Sequence, residues 1–528
     1  MNMIYGVKDR PKFLQTVVFA IQQLLAIMAA TLVVPVIIND NTGSEMQSAA
    51  ALLGAGMGTL VYLLFTKFKS PVFLGSSFAF IGPMTAAMGG GLAMGCGYVG
   101  LIIGAVFAGL VYVVIALLVK LVGVGWLNKL MPAAVIGATV AIIGLSLAGN
   151  AVGDLQKTNK VTTFDPEDFQ IVAIDKQDYT EDKEHGMIKL EADASSATYI
   201  VVEKDVNVNE PIPTDKVRND ISVTFKDGKP QLTANYGSVY VAILCGLITL
   251  IVTTICSTYG KKFAKLIPFI IGILAGYGAA SIFAIIGTLT NNPALVIIDY
   301  SPIVALFSEG VKVTSFFNLP EFTFVKAFGE FKNLTPAYIA TVAVAYLPVA
   351  LVVFAEHVAD HKNISSIIGT DLLENPGLSR TLLGDGVGSM AGAFFGGCPN
   401  TTYGESVACV AISRNASVIT TLFTAFGAIL IAFFSPFVAF VNSIPSCVMG
   451  GVCMALYGFI AVSGLKMLQN TDLNKNRNLF TVSAILIAGI GGLSLSFGAI
   501  QITTIAVALI LGIIVNRILA KEKDEVAE

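Results

Sequence analysis

Long apolar stretches separated by short polar segments run through almost the whole chain. About 20 consecutive apolar residues suffice for a helix to cross the hydrocarbon core of a bilayer. On this basis the sequence predicts fourteen membrane-spanning segments, at residues 14–38, 47–66, 77–90, 97–120, 129–149, 237–257, 266–287, 336–357, 380–396, 404–414, 417–439, 444–465, 479–498 and 501–519. The third and the tenth are too short to cross alone, and each follows an extended stretch rich in small and polar residues.

The composition supports this prediction. Of the 528 residues, 55% are hydrophobic and only 13% are charged, and the mean hydropathy is +0.77. Soluble domains carry charges on about a quarter of their residues, so we expect an all-α polytopic membrane protein. Its environment would be the lipid bilayer, and no nucleic-acid partner is expected.

The basic residues of the connecting loops predict the orientation. An even number of segments places both termini on one side, together with the loops that hold most of the Lys and Arg residues outside the long insertions. Because such loops stay on the cytoplasmic side, both termini and the tail 520–528 are predicted to be cytoplasmic. The expected location is the plasma (inner) membrane.

The segment 152–236 differs from the rest of the chain. It holds 17 acidic and 10 basic residues, whereas the net charge of the whole chain is −3. Within it, ATYIVVEKDVNV and DISVTFKDGKPQLT alternate apolar and polar residues between turn signals, a pattern typical of short strands. We interpret it as an extracellular β-rich insertion, with a disordered acidic loop as the alternative. His185 within it is expected to be a solvated surface residue.

Two pairs of related stretches indicate an internal repeat. MPAAVIGATVAIIGLSLAG (131–149) resembles IPSCVMGGVCMALYGFIAVSG (444–464), and LGSSFAF (74–80) resembles CPNTTYG (398–404) in being extended and then helical. Both pairs are seven segments apart, and an odd offset inverts the second copy across the membrane. The sequence therefore predicts seven plus seven inverted repeats, an arrangement characteristic of secondary transporters that bind their substrate where broken helices meet.

The two broken segments, 3 and 10, predict where such a site lies. Non-helical backbone at membrane depth is tolerated only where it is buried in protein or lines a cavity. We therefore expect the two extended parts to pair. The two short helices would then direct their N-termini, which carry free N–H groups and the positive dipole end, towards a pocket.

Four acidic residues lie within or beside the apolar stretches. A carboxylate at the centre of a membrane helix costs about 2.5–3.5 kcal/mol, so it is a functional candidate by default. Glu405 follows the extended part of segment 10, and Glu356 and Asp360 lie four residues apart on one face of segment 8. Asp385, which has glycine neighbours, is the weaker candidate because it can serve for packing or capping.

The same region leaves two other classes of protein open. His357 and His361 are four residues apart, a spacing found in zinc sites, so a membrane metallohydrolase that uses Glu356 is one alternative. No third ligand is evident and no metal is expected, and we interpret the pair as a solvent-exposed neighbour of the carboxylates near a helix end. The other alternative is an anion transporter, which the acidic character of the site disfavours.

Six stretches of the chain resemble the nucleobase–cation symporter-2 (nucleobase–ascorbate transporter) family, and within it the uracil permeases. They are YGVKDRPKFLQT (5–16), LGSSFAFIGPM (74–84), GWLNKLMPAAVIGA (125–138), LPVALVVFAEHVADH (347–361), DLLENPGLSRTLLGDG (371–386) and PNTTYGESVACVAISR (399–414). The combination of AEH with PNTTYGE is the most specific of these signals. The resemblance covers nearly the full chain apart from the insertion.

The resemblance implies a division into two membrane domains. A core domain would comprise residues 13–122 and 336–439. A gate domain would comprise residues 126–289, interrupted by the insertion, and residues 444–519. The resemblance also implies a transporter and not an enzyme, and it leaves open whether the chain forms a homodimer through its gate domains.

The resemblance further implies that a pyrimidine binds between segments 3, 8 and 10. Glu356 and Glu405 would bind the polar edge of the base, and the backbone amides of Phe78 and Gly404 would donate to its carbonyls. The remaining contacts implied by the resemblance come from Tyr403, Ala30 and Tyr457.

The expected function is import of uracil or a close pyrimidine by proton symport with alternating access, and a xanthine or urate permease is the alternative. Uracil has two imide N–H donors and two carbonyl acceptors, which match two carboxylates and two amides. Glu356, Asp360 and Glu405 would carry the proton. No other cofactor is expected, although the sequence leaves sodium open as the coupling ion. Asp360 and Ser406 stand where relatives often have a histidine and an asparagine.

Overall fold

The computed structural model shows a mostly helical chain. It describes residues 3–89, 94–123, 132–158, 236–261, 263–308, 310–469, 471–497 and 500–521, together with short pieces between 159 and 235. Within these residues, eight helices are long and apolar enough to cross a membrane, and five shorter apolar helices accompany them. Helices suit this environment because they satisfy their backbone hydrogen bonds within one segment.

The helices follow the predicted apolar stretches closely. In chain order they are α1 (Phe13–Thr42), α2 (Ser48–Phe65), α3 (Ile81–Met88), α4 (Met94–Val122), α5 (Ala133–Ser146), α6 (Ala148–Gln156), α7 (Val239–Tyr259), α8 (Phe263–Leu266), α9 (Pro268–Leu289), α10 (Ser301–Ala305), α11 (Thr323–Ala327), α12 (Pro336–Ile368), α13 (Leu378–Gly396), α14 (Gly404–Ser413), α15 (Val418–Ala432), α16 (Ser435–Asn442), α17 (Ser446–Leu468), α18 (Asn476–Ile490) and α19 (Thr504–Ile518).

The strands are short. They are β1 (Leu74–Ser76), β2 (Thr162–Phe164), β3 (Phe169–Ile174), β4 (Tyr179–Asp182), β5 (Met187–Leu190), β6 (Thr198–Glu203), β7 (Ile212–Pro213), β8 (Ile221–Lys226), β9 (Lys229–Ala234), β10 (Asn400–Thr402), β11 (Leu495–Phe497) and β12 (Ile500–Ile502). Strands β2 to β9 form small antiparallel sheets in the orders β2–β9–β8, β3–β6 and β4–β5–β7. The described residues of the insertion thus include short paired strands. His185 and the end of the tail, 522–528, lie outside the described residues.

The two broken segments meet, as the sequence predicts. Strand β1 pairs antiparallel with β10, with Leu74 opposite Thr402, Gly75 opposite Thr401 and Ser76 opposite Asn400. A 3₁₀ turn, Phe78–Phe80, leads from β1 into α3, and β10 leads directly into α14. The pairing gives each extended stretch a backbone partner at a depth where water is absent.

The helices pack in two groups. Helices α1, α2, α4, α13 and α15 pack on one another and enclose β1 and β10, and α12 and α14 join them. Helices α5, α6, α7, α9, α17, α18 and α19 form the second group. Glycines allow the close crossing of α2 and α13, since a Cβ at Gly54 would lie 2.5 Å from the carbonyl oxygen of Gly392.

Several predicted boundaries are wrong. The helix of segment 8, predicted to end at 357, continues to Ile368, and the helix of segment 13, predicted to end at 498, ends at Ile490 before β11. The insertion does not begin at Val152, because α6 continues the fifth segment to Gln156. The predicted segment 417–439 is two helices, since α15 ends at Ala432 and α16 begins at Ser435. Pro436 is in the first turn of α16. The N–H groups of a first turn have no acceptor within the helix, so a proline loses no helical hydrogen bond there.

The long connection between α9 and α12 packs against the ends of the first helix group. The backbone N–H of Asn318 donates to the carbonyl of Phe433 at 3.0 Å. Lys326, on α11, forms an ion pair with Glu321, donates to the carbonyl of Glu45 at 3.3 Å and lies 5.0 Å from the ring centroid of Tyr98. The part of the connection around Asn318 and Lys326 is therefore attached to the first helix group.

Candidate functional site

A cavity of about 350 Å³ lies between the two helix groups, beside the paired strands. Its polar lining includes Glu356 and Asp360 from α12 and Gly404 and Glu405 from α14. The second helix group contributes residues of α5, α7, α8, α9 and α17 to the opposite wall. The structure thus brings together the three carboxyl groups and the glycine that the sequence analysis singled out.

The start of α14 presents backbone donors to this cavity. The N–H of Val407 donates to the carbonyl of Tyr403 at 3.1 Å, which is the first bond of the helix. The amides before it have no intrahelical acceptor. Gly404 is exposed to the cavity, and a Cβ at this position would meet no atom within 4 Å. A ligand can therefore approach the N-terminus of α14 directly, next to the half-buried Glu405.

Asp360 connects α12 to the paired strands. The Thr402 hydroxyl donates to Asp360 Oδ2 at 2.8 Å. Glu356 lies one turn earlier on α12 and, like Asp360, is half-buried. The hydrogen bond satisfies one carboxylate oxygen of Asp360, while its side chain still lines the cavity.

Tyr403, which precedes Gly404, is held next to the site by the opposite strand without lining the cavity. Its side chain is buried, and its hydroxyl donates to the carbonyl of Ser76 at 2.7 Å. The ring lies directly against Gly75, where a Cβ would come within 2.8 Å of Tyr403 Cδ2 and closer still to Cε2 and Cζ. Gly75 therefore leaves the space that the tyrosine ring fills.

Replacing Gly75 by alanine is expected to displace this ring. Overpacking a tight site costs about 1–3 kcal/mol, and the ring cannot move away without breaking its bond to Ser76. Thermal unfolding of the purified variant in detergent should show a lower Tm than the parent. Gly278→Ala is the matched control, because a Cβ there meets no atom within 4 Å. An unchanged Tm for Gly75→Ala would contradict the tight packing of the Tyr403 ring against Gly75.

The other three predicted contacts, like Tyr403, lie near the cavity without lining it. Phe78 lines a second, larger cavity of about 780 Å³ and packs edge-on against Tyr457, with ring centroids 5.8 Å apart. Tyr457 is buried on α17, and Ala30 is buried on α1, one turn beyond Ala26, which lines the smaller cavity. The Phe78–Tyr457 contact thus joins the two helix groups beside the site.

The prediction that His357 and His361 are solvent-exposed is wrong. Both side chains have 0% exposure, as does that of their partner Thr381, and Asp385 is 1% exposed. His357 Nδ1 lies 2.7 Å from Asp385 Oδ2, and His357 Nε2 lies 3.0 Å from Thr381 Oγ1. Asp385 is therefore a hydrogen-bond partner of His357. This contact favours the predicted structural role of Asp385 over a role in substrate binding.

The hydrogen bonds of His357 indicate a neutral pair. The Thr381 hydroxyl donates to the carbonyl of Leu378 at 3.0 Å, so it accepts from His357 Nε2. A proton must then lie between His357 Nδ1 and Asp385 Oδ2, on one atom or the other. Either position leaves the pair with no net charge, as a buried polar pair requires.

A second set of bonds extends this network along α12. His361 Nδ1 donates to the carbonyl of His357 at 2.8 Å, because a carbonyl can only accept. His361 Nε2 lies 2.7 Å from the hydroxyl of Tyr62 on α2, which is also bonded to Ser70 at 2.7 Å. The network fastens α12 to α2 and α13 and explains why two histidines are buried beside an acidic cavity.

Ser406 lies on the side of α14 away from the cavity. Its hydroxyl accepts from Gln23 Nε2 at 3.1 Å and from the backbone N–H of Phe73 at 3.0 Å. Gln23 in turn accepts from Thr424 at 2.9 Å. The departure at Ser406 thus affects how α14 is anchored to α1 and the chain before β1.

Two solved structures share this fold. The transmembrane domain of a cyanobacterium bicarbonate transporter, BicA, is 15% identical, with a TM-score of 0.53 and coverage of 97% of this chain and 99% of that one. The murine anion transporter Solute Carrier 26 family member A9 is 10% identical, with a TM-score of 0.53 and coverage of 97% and 69%. The fold and the apolar helices define a multi-pass membrane protein with a polar cavity between two helix groups.

Comparison with known sequences gives the family. The Permease family matches residues 14–172 and 228–498, which leaves out the middle of the insertion. Three relatives named "Uracil permease" are 34% identical (Bacillus subtilis, 99% of this chain and 97% of that one), 32% identical (Bacillus caldolyticus, 98% and 94%) and 32% identical (Escherichia coli K12, 96% and 92%). The chain therefore belongs to the permease family, in its nucleobase–cation symporter-2 branch, and it is a permease rather than an enzyme.

Proposed function

We propose that this permease is a secondary active transporter that imports uracil, or a close pyrimidine, together with protons. The observation that carries the proposal is the cavity in which three carboxyl groups meet the exposed start of α14. The relatives named uracil permeases support the same substrate.

The polar groups of the site complement those of uracil. Glu356 and Glu405 offer carboxylate acceptors to the two imide N–H groups, and the amide of Gly404 offers a donor to a carbonyl. The amide of Phe78, at the start of the other broken segment, is the proposed second donor. Pairing each buried polar group matters because an unpaired one costs about 1–3 kcal/mol.

The arrangement of the cavities favours alternating access. The larger cavity is lined by Tyr338 and Thr341 near the start of α12, and the smaller one by Glu356 and Asp360 further along it. Thr341 and Glu356 are about 22 Å apart along the helix, at a rise of 1.5 Å per residue. We assign the first helix group to a core domain and the second to a gate domain, built from fourteen spanning segments as seven plus seven inverted repeats. Movement of one against the other would open each cavity in turn.

Proton coupling follows from the charge of the site. Moving a cluster of carboxylates through a membrane is costly when the cluster is ionised and unpaired. Protonation of Glu356, Asp360 or Glu405 would reduce this charge on the outer side, and release inside would reset the carrier. A proton is therefore the proposed coupling ion, and no further cofactor enters the proposal.

In the proposed orientation the protein lies in the plasma membrane, with both termini in the cytoplasm. The basic loop around α8, with Lys261 and Lys265, then faces the cytoplasm as the positive-inside rule demands. The insertion with strands β2 to β9 lies outside the cell. The smaller cavity opens towards the cytoplasm and the larger one towards the exterior.

Uptake of radiolabelled uracil into cells that lack other pyrimidine transporters tests the proposal. Uptake should exceed that of empty cells, fall when a protonophore is added, and be inhibited by unlabelled uracil more than by xanthine or urate. Thymine as a further competitor measures how closely the pyrimidine is recognised. Stronger inhibition by xanthine than by uracil would refute the proposal that the substrate is a pyrimidine. Insensitivity of uptake to the protonophore would refute proton coupling.

A further inference from the structure

One lysine faces the acidic cavity. Lys265, on the short helix α8, lines the same cavity as Glu356, Asp360 and Glu405. Among the described residues of this lining, it is the one with a positive charge. Its side chain is exposed, and it forms no hydrogen bond or ion pair with any residue that the structure describes. An unpaired ammonium group thus shares a cavity with three carboxyl groups.

The lysine and the carboxyl groups belong to different parts of the molecule. The acids are on α12 and α14, whereas α8 connects α7 to α9 in the second helix group. Helix α8 packs against α1 and α14, and Ile267 beside it forms a small apolar cluster with Ala26 and Cys409. Lys265 therefore lines the cavity of the acids from a separate element, the connection between α7 and α9.

The beginning of α9 adds to the positive character of this wall. Pro268 and Phe269, the first residues of this 22-residue helix, also line the cavity. The N-terminus of a helix carries the positive end of its dipole. The two facing walls are thus electrostatically complementary, with acids on one and an ammonium group and a helix N-terminus on the other.

We propose that Lys265 is a mobile counter-charge that stabilises the carboxylate cluster after it has lost its proton on the side where α8 lies. The inference rests on the proposed proton symport and adds the group that makes proton release depend on conformation. Coulomb attraction falls as the separation of two charges grows. The flexible lysine side chain shares the cavity of the acids in the present arrangement, and it loses access to them when the cavity opens towards the opposite side.

No other described charged group competes for this role at the cavity. Ala26 of α1, Ser257 of α7 and Ser463 and Met467 of α17 line it without carrying a charge. The neighbouring pair of His357 and Asp385 is buried and neutral and does not line the cavity. Lys265 acts through the carboxyl groups and is a positioning residue, since it is not required to touch the base.

Transport assays in proteoliposomes test the inference with three variants, Lys265→Met, Lys265→Arg and Lys261→Met. The protein is oriented with its termini in the lumen, and the external buffer is acidic. With a neutral lumen, Lys265→Met should slow uracil uptake about tenfold, the factor by which one pH unit changes proton activity. Raising the luminal pH by about one unit should restore the rate, because a lower proton activity in the lumen favours proton release, as the missing positive charge did. Lys265→Arg should match the parent, and so should Lys261→Met, whose exposed lysine does not line the cavity.

Exchange of labelled for unlabelled uracil at equal pH provides the second readout. It requires no net proton release, so Lys265→Met should exchange at the parental rate. Parental uptake by Lys265→Met at both luminal pH values would overturn the inference, as would slow uptake that a higher luminal pH does not restore, or exchange slower than that of the parent. Absence of proton-driven uptake by the parent protein would instead overturn the proposed function.

Discussion

Replacing Glu405 by glutamine is expected to abolish proton-driven uptake of uracil while leaving the protein folded. Glu405 is in the first turn of α14 and lines the cavity beside Gly404. Glutamine has nearly the same shape but carries no charge for a proton to neutralise, and its amide can direct a donor at a donor of the base. Hydrogen bonds to charged groups contribute about 1.5–3 kcal/mol, so the affinity should fall about 10- to 100-fold.

Binding and accumulation should be measured separately for this variant. Binding of uracil to purified protein reports the lost hydrogen bond, and accumulation in cells with and without a protonophore reports coupling. Glu374→Gln is the matched control, because Glu374 is exposed in the connection before α13 and does not line the cavity. Full proton-driven accumulation by Glu405→Gln would show that Glu405 is neither the acceptor nor the proton carrier.

The parts of this fold that the sequence predicts have strong local signals. An apolar stretch of about 20 residues predicts a membrane helix without knowledge of its neighbours. The polar interruptions at 74–80 and 398–404 predict broken segments, and their pairing follows because exposed backbone needs a partner in the membrane. Glu356 and Glu405 were recognisable because a carboxyl group is rare in such a setting.

The parts that the sequence analysis missed depend on partners distant in the chain. His357 and His361 follow an apolar run and precede a polar one, which resembles the wet end of a helix. They are buried because Asp385 and Tyr62, on other helices, provide their hydrogen bonds. The division of the segment 417–439 did have a local signal, the proline at position 436, which favours the first turn of a helix over its interior.

Replacing Asp385 by alanine is expected to destabilise the protein strongly, although Asp385 does not line the cavity. The substitution leaves His357 Nδ1 without its partner at a site with no access to water, and Thr401 also loses its acceptor, 3.3 Å away. Each buried polar group left without a partner costs about 1–3 kcal/mol, and here two groups lose theirs. The amount of folded protein in the membrane and its Tm in detergent should both fall.

A double-mutant cycle distinguishes loss of the pair from loss of packing. If the cost arises from an unpaired polar group, His357→Ala combined with Asp385→Ala should be less destabilised than the sum of the two single variants, because neither member of the pair is then left without the other. Additive effects would mean that each side chain contributes by filling space. Helix α12 carries both His357 and Glu356, so Asp385 lies close to the proposed transport site. A parental Tm together with lost uptake in Asp385→Ala would contradict the structural role and would assign Asp385 to transport itself.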